Sequence, residues 1–265
     1  MSASKFLSAT LLLSLSAYGI ALAASCENRS ATSRAQLIEL YTSEGCSSCP
    51  PADRWLRELV PKVLSAGEVV PLAFHVDYWD RLGWRDRFAD PAYTARQNAY
   101  SKVSGSSFIF TPQVIVAGRN YATWSNNILV QKDVRTAFAG VPDAEIVLRQ
   151  QPVSSGKVGF EVRAQLRQGV NLSDVRIHAA LFQNGLVSEV GRGENSGSRL
   201  QHDYVVRSLI TSKTIDPSGK IIFQDQFTLP DGALPQAIGV AIFAQDRKTG
   251  AVLQAMSAPL CVTEK

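Results

Sequence analysis

The chain has little of almost everything that marks a specialised class. Aromatic residues fill 8% of its 265 positions and charged residues 19%; there are three histidines, two methionines and four cysteines. No internal repeat or low-complexity tract runs through it, which excludes solenoids and collagen-like chains, and a hydrophobic content of 45% excludes disorder. A formal charge of +4, spread without a Lys/Arg cluster, leaves no electrostatic footprint for nucleic acid. The glycine-containing stretch from Gly191 to His202 carries neither a phosphate-loop nor a catalytic-triad pattern. A second C-x-x-C, which a four-cysteine zinc site would need, is missing too.

What is present begins with an address. Lys5 precedes a run from Phe6 to Ile20 that is apolar apart from scattered Ser and Thr, and Ala21-Leu22-Ala23 has the small-x-small form of a signal-peptidase site. The run is short for a bilayer span of about 20 residues, and no basic stop follows it. Residues 1–23 therefore read as a removed signal peptide, with the mature protein secreted or periplasmic and without a membrane span. A lipidated Cys26 is the alternative; it lacks the Leu, Val or Ile expected three residues earlier. Export places the cysteines in an oxidising compartment, where disulfides persist.

The mature chain divides by pattern near position 142. From Gln36 to Gly140 short apolar strands alternate with longer helical stretches: strand 36–42, helix 50–65, strand 68–76, helical segments either side of Pro91 within 84–104, a hairpin of 112–117 and 120–124, and a helix after Asn126. Beyond Pro142 seven alternating segments, separated by turns such as Asn184-Gly185 and Asp216-Pro-Ser-Gly219, read as an antiparallel β-sandwich. The expected fold class is an α/β domain at 24–142 followed by an all-β domain at 143–265.

The sharpest motif is Thr42-Ser-Glu-Gly-Cys46-Ser-Ser-Cys49-Pro-Pro51, at the junction of a strand and a helix. A thiol at a helix N-terminus faces unpaired backbone N–H groups and the positive end of the helix dipole, which stabilise its thiolate. Cys46, further out, is the expected nucleophile and Cys49, one turn in, the resolving thiol. Glu44 and Asp53 would oppose thiolate formation if close. Half of a zinc site and an inert structural disulfide are the competing readings of the pair. Of the three possible connectivities, the local pair leaves Cys26 and Cys261 to bridge the two ends of the mature chain.

Thr111-Pro112 opens the apolar run Val114-Ile-Val116, so the proline starts a strand. The N-terminal order resembles the thioredoxin fold. Leu40-Tyr-Thr-Ser-Glu-Gly-Cys-Ser-Ser-Cys-Pro-Pro-Ala-Asp53, with His75-Val-Asp-Tyr-Trp79 and Thr111-Pro-Gln113, is similar to a secreted bacterial thioredoxin-like family catalogued as a domain of unknown function. The resemblance implies that Pro112 is cis and borders the dithiol, and that Thr111 presents its backbone to substrate. It differs from ordinary thioredoxins in lacking a Trp before Cys46, in its Ser-Ser centre and in Pro50.

His75 and Asp77 stand where the second strand exits, beside the dithiol edge, and are candidates for proton transfer, substrate contact or a metal role. Their plainer reading is a hydrogen-bonded histidine and a capping aspartate. In the second half, His178 is a strand-face residue, and the glycine-containing loop 191–202, with Arg192, Glu194, Arg199 and His202, is a recognition surface or a solvated connection. The expected activity is thiol–disulfide exchange on protein or peptide thiols, needing no organic cofactor and no metal. The rivals are a copper(I)- or zinc-delivery protein using Cys46, Cys49 and His75, and a binding module with a purely structural disulfide.

Overall fold

The computed structural model describes residues 25–212 and 216–262; the expected signal peptide lies outside the described residues. Strand β1 (Cys26–Arg29) is followed by β2 (Gln36–Thr42), all seven residues of which are buried. Full burial requires cover on both faces, and helices supply it. Helix α1 (Pro50–Lys62) tolerates its two prolines in the first turn, where amides have no helical partner, and buries Ala52, Trp55, Leu56 and Leu59. These side chains meet Ile38 and Leu40 on one face of β2. Leu37 and Tyr41, on the other face, meet Tyr93 and Tyr100 of α2 (Pro91–Val103).

Strand β3 (Val69–His75) runs parallel to β2, with β4 (Gln113–Val116) antiparallel on its far side and the two-residue β5 (Arg119–Asn120) at the edge. The hairpin arm expected to reach Trp124 stops at Asn120. Gly118 has φ +88°, and a Cβ there would stand 1.8 Å from the carbonyl oxygen of Gly250, so backbone from the second half closes over this turn. No α-helix forms at 84–90. Asp90, forced extended by the following proline (φ −139°, ψ 132°), starts α2 by accepting the Ala92 N–H. Asn126 caps α3 (Asn127–Phe138).

Among its described residues the second half is strand, turn and irregular chain apart from two short 3₁₀ turns: β6 (Ala144–Gln150), β7 (Lys157–Leu166), β8 (Val175–Gln183), β9 (Leu186–Glu189), β10 (Arg199–His202), β11 (Val205–Thr211), β12 (Lys220–Thr228), β13 (Ile238–Asp246) and β14 (Val252–Pro259). All seven expected segments are present; β1, β10 and β14 were not foreseen. One sheet has the order β1-β6-β7-β12, and β9 pairs with β10. An eight-stranded sheet, β14-β13-β8-β11-β3-β2-β4-β5, runs through both halves. Its central joint is narrow: β11 meets β3 in parallel at Val205 and Ala73, where the Ala73 N–H donates to the Tyr204 carbonyl (2.8 Å). The four-stranded sheet faces β8, β13 and β14 across an apolar core that includes Leu148, Phe160, Phe227 and Ile242. The architecture is mixed α/β and mostly β. Cys26 and Cys261 are disulfide-bonded, tying β1 to the end of the chain.

Candidate functional site

At the carboxyl end of β2 the chain turns through Ser43, Glu44 and Gly45 into the C-x-x-C. The Cys46 N–H donates to the Ser43 carbonyl (3.2 Å) and the Cys49 N–H to the Cys46 carbonyl (3.2 Å), and Cys49 is the N-cap of α1. Cys46 and Cys49 are joined as a disulfide. Gly45 leaves room for Trp79: a Cβ on the glycine would lie 3.2 Å from the Trp79 Cβ. The Trp79 indole N–H donates to Thr111 Oγ1 (2.7 Å), so one side chain links the cysteine turn to Thr111-Pro112, whose peptide bond is cis.

Cys46 does not meet solvent. It is 0% exposed, as is Cys49. The expectation of an outward first cysteine fails because a distant segment lies over it. Asn195 donates through Nδ2 to the carbonyls of Glu44 (2.9 Å) and Cys46 (3.0 Å), and the Ser47 N–H donates to Glu194 Oε2 (3.0 Å). Hydrogen bonding to Ser47 holds the Glu194 carboxyl below the usual carboxylate range. Loop 191–202 is thus neither wholly loop nor wholly solvated. Its first part packs on the cysteine turn, and its last four residues form β10.

Behind the disulfide lies a buried group of five titratable side chains: Glu44, Asp53, His75, Asp86 and His202. His75 Nδ1 and Asp86 Oδ2 are 2.6 Å apart, and the Glu44 N–H donates to the same oxygen (2.8 Å). His202 sits edge-on to His75 (centroids 4.9 Å) with its nitrogens 3.6 Å from Glu44 Oε1 and 3.9 Å from Asp53 Oδ2. Glu44 Oε2 accepts from the Trp84 indole (2.7 Å), and Asp53 Oδ2 from Thr42 Oγ1 (3.2 Å).

Burial sets the electrostatics here, and neighbours decide its sign. Burial pushes the Asp53 carboxyl up, against the pull of His202 and His75. Burial works the same way on Glu44 and Asp86, but His202 with Ser188 and Trp84 hold the first below its ordinary value, and His75 holds the second below its own. Burial opposes a charged His75, yet Asp86 more than offsets it and the imidazole titrates higher than usual. Four buried polar atoms, Glu44 Oε1, His75 Nε2 and both nitrogens of His202, have no hydrogen-bond partner among the described residues. A cavity of about 220 Å³, lined by Asp53, His202, Pro50, Arg54, Arg57 and Arg199, opens onto this group.

The structure therefore gathers Cys46, Cys49 and His75 in one region and places Thr111-Pro112 against it through Trp79. Asp77 is drawn elsewhere: it accepts from Thr94 Oγ1 (2.5 Å) within α2, whose N-cap is Asp90, so the capping expected of Asp77 does not occur there. Sequence reading missed Asp86 altogether, because 80–90 has no periodicity to mark a buried acid, and found His202 only as a loop residue. Among the described residues, no group of three or more His, Cys, Asp or Glu is arranged to hold a metal ion.

A family model described as Protein of unknown function (DUF1223) matches residues 37–245. The crystal structure of protein AGR_C_4864 from Agrobacterium tumefaciens superposes with a TM-score of 0.60 at 24% identity, over 87% of this chain and 95% of that one. HBP35 of Porphyromonas gingivalis superposes with a TM-score of 0.66 at 15% identity, over 89% of this chain and 80% of that one. At these identities the likeness is one of fold. No functionally curated protein matches the chain.

Proposed function

The chain belongs to the DUF1223 family, and from its site we propose that it is an exported, thioredoxin-like thiol–disulfide exchange protein acting on protein or peptide thiols. The observation that carries this reading is the Cys46–Cys49 disulfide at the N-terminus of α1, backed by buried groups with proton positions to spare. The Cys26–Cys261 bridge fits the oxidising compartment that the N-terminal sequence also suggests.

In the reduced protein the Cys46 thiolate attacks one sulfur of a substrate disulfide. A Cys46–substrate bond forms, the substrate S–S bond breaks, and the first substrate thiolate leaves. Cys49 then loses its proton and attacks Cys46 Sγ; the internal disulfide forms and the second substrate thiolate departs. The reverse sequence oxidises a substrate dithiol. Asp53 is suited to take the Cys49 proton. It lies four residues on along α1, on the same face, with its own N–H bonded to the Cys49 carbonyl (3.1 Å), and burial raises its proton affinity. His75 belongs to the same proton store, while Thr111 and Pro112 border the substrate groove. Access to Cys46 requires the Asn195 bonds to release.

The test is trapping. Cys49→Ser protein, exported and recovered under thiol-blocking conditions, is expected to carry covalent adducts that reduction dissolves, and Cys46→Ser to carry few. Absence of adducts from both variants overturns the activity; equal adducts overturn the roles.

A further inference from the structure

Helix α2 and the eight-stranded sheet enclose a groove of about 570 Å³, within the range of about 300–1,000 Å³ common for small-molecule sites. It lies on the α2 face of the sheet, whereas the cysteine helix packs on the opposite face. One wall carries Tyr93, Tyr100 and Val103, the last of which is 40% exposed; Leu209 contributes from the floor. The wall is firm: the Tyr93 hydroxyl donates to the Val206 carbonyl (3.1 Å).

Four arginines also line this space, and three are already satisfied. Arg96 is paired with buried Glu39 (2.7 Å), Arg176 donates to the carbonyls of Ser173 (3.0 Å) and Val175 (2.7 Å), and Arg247 lies 3.6 Å from Asp174. Arg207 is different. Half-buried on β11, it donates to the neutral Gln183 side chain (2.7 Å) and lies 5.1 Å from the centre of the Phe88 ring. Among the described residues neither Arg207 nor Arg176 has a carboxylate within ion-pair distance, but Arg176 bonds two backbone carbonyls whereas Arg207 bonds a single neutral amide. Burial, with the nearby Arg87 charge, pulls its guanidinium below the usual arginine range. A desolvated cation without a counter-charge is costly, and a guanidinium fork matches an oxyanion in a bidentate pair. His178 adds no charge on the floor: burial holds its imidazole well below the ordinary range, and its ring is stacked on Phe243 (4.7 Å).

We propose that this groove binds an apolar small molecule bearing one oxyanion head, a carboxylate or a phosphate, with the head on Arg207 and the body along the α2 wall. The complementarity is of charge and of surface together: a cation held by a single neutral amide, beside the apolar surface of Tyr93, Tyr100, Val103 and Leu209, with Asp90 also on the lining. The site is independent of the cysteine pair.

Calorimetric titration of the disulfide-intact protein with decanoate, decyl phosphate, decanol and acetate tests it. Saturable binding is expected for the two anionic amphiphiles, at least tenfold tighter than for decanol or acetate. Arg207→Gln should weaken decanoate at least tenfold and leave decanol unchanged. Ala99→Trp, at an exposed groove position of α2, should block decanoate by filling the trough, with the near-UV circular dichroism of both variants reporting an intact fold. Equal affinity for decanoate and decanol, or decanoate binding that survives both substitutions, overturns the proposal. So does sedimentation of the protein with phosphatidylglycerol vesicles that decanoate fails to relieve, which would make the arginine a membrane contact instead.

Discussion

The two disulfides are the same bond in opposite surroundings. Cys26–Cys261 joins positions 235 apart, linking β1, paired along β6, to a terminal segment whose Cys261 carbonyl accepts the Val153 N–H (3.1 Å). Cys46–Cys49 closes a loop of three and is backed by five buried titratable groups. A bridge between chain ends constrains the unfolded chain and has little else to do. A bridge at a helix N-terminus, over carboxyls and imidazoles that can exchange protons, has the surroundings that redox chemistry needs. The difference lies in what each sulfur pair touches.

The largest effect that would separate them is on stability. In the chain-entropy account, opening the long loop in a Cys26→Ala/Cys261→Ala variant costs up to about 5 kcal/mol, against about 2 kcal/mol for Cys46→Ala/Cys49→Ala. Denaturant titration checks the order, and substrate trapping should survive in the first variant only. Comparable losses would place Cys46–Cys49 among structural bridges.

A smaller effect concerns Asp53. Its folded-state carboxyl is raised above 3.8, so the folded protein holds that proton to higher pH than the unfolded chain does. The resulting destabilisation is absent below the unfolded value and grows as pH rises through the folded one. Asp53→Asn should therefore melt higher than the parent at pH 7, with the gap closing below about pH 4. The same variant should slow the resolution step. A melting difference independent of pH would remove Asp53 from the proton store.

The smallest effect sharpens the role of the covering segment. Asn195→Ala removes both bonds to the cysteine turn and should let dithiothreitol reduce Cys46–Cys49 several-fold faster, leaving Cys26–Cys261 unchanged. Mass spectrometry of quenched samples distinguishes the two bonds. An unchanged rate would mean that Asn195 does not guard Cys46.

Much of this was legible in the chain. Gly45, two cysteines and two prolines placed a C-x-x-C at a strand–helix junction, because the first turn of a helix accepts residues without a donor. Alternation identified the seven strand segments beyond Pro142, since a pleated strand turns successive side chains to opposite faces. Asn126 announced its helix by capping. Other features had no local signature. The strand pairing of Val205 with Ala73 that fuses both halves into one sheet is a matter of long-range register, which no period records. Asn195 stands 151 positions from Glu44, yet it bonds the Glu44 and Cys46 carbonyls beside a fully buried Cys46. Glu44, Asp53, His75, Asp86 and His202 are ordinary polar residues in the sequence. They become a buried, mutually shifted group only when segments from both halves close around them and exclude the solvent that would otherwise hold each at its usual charge.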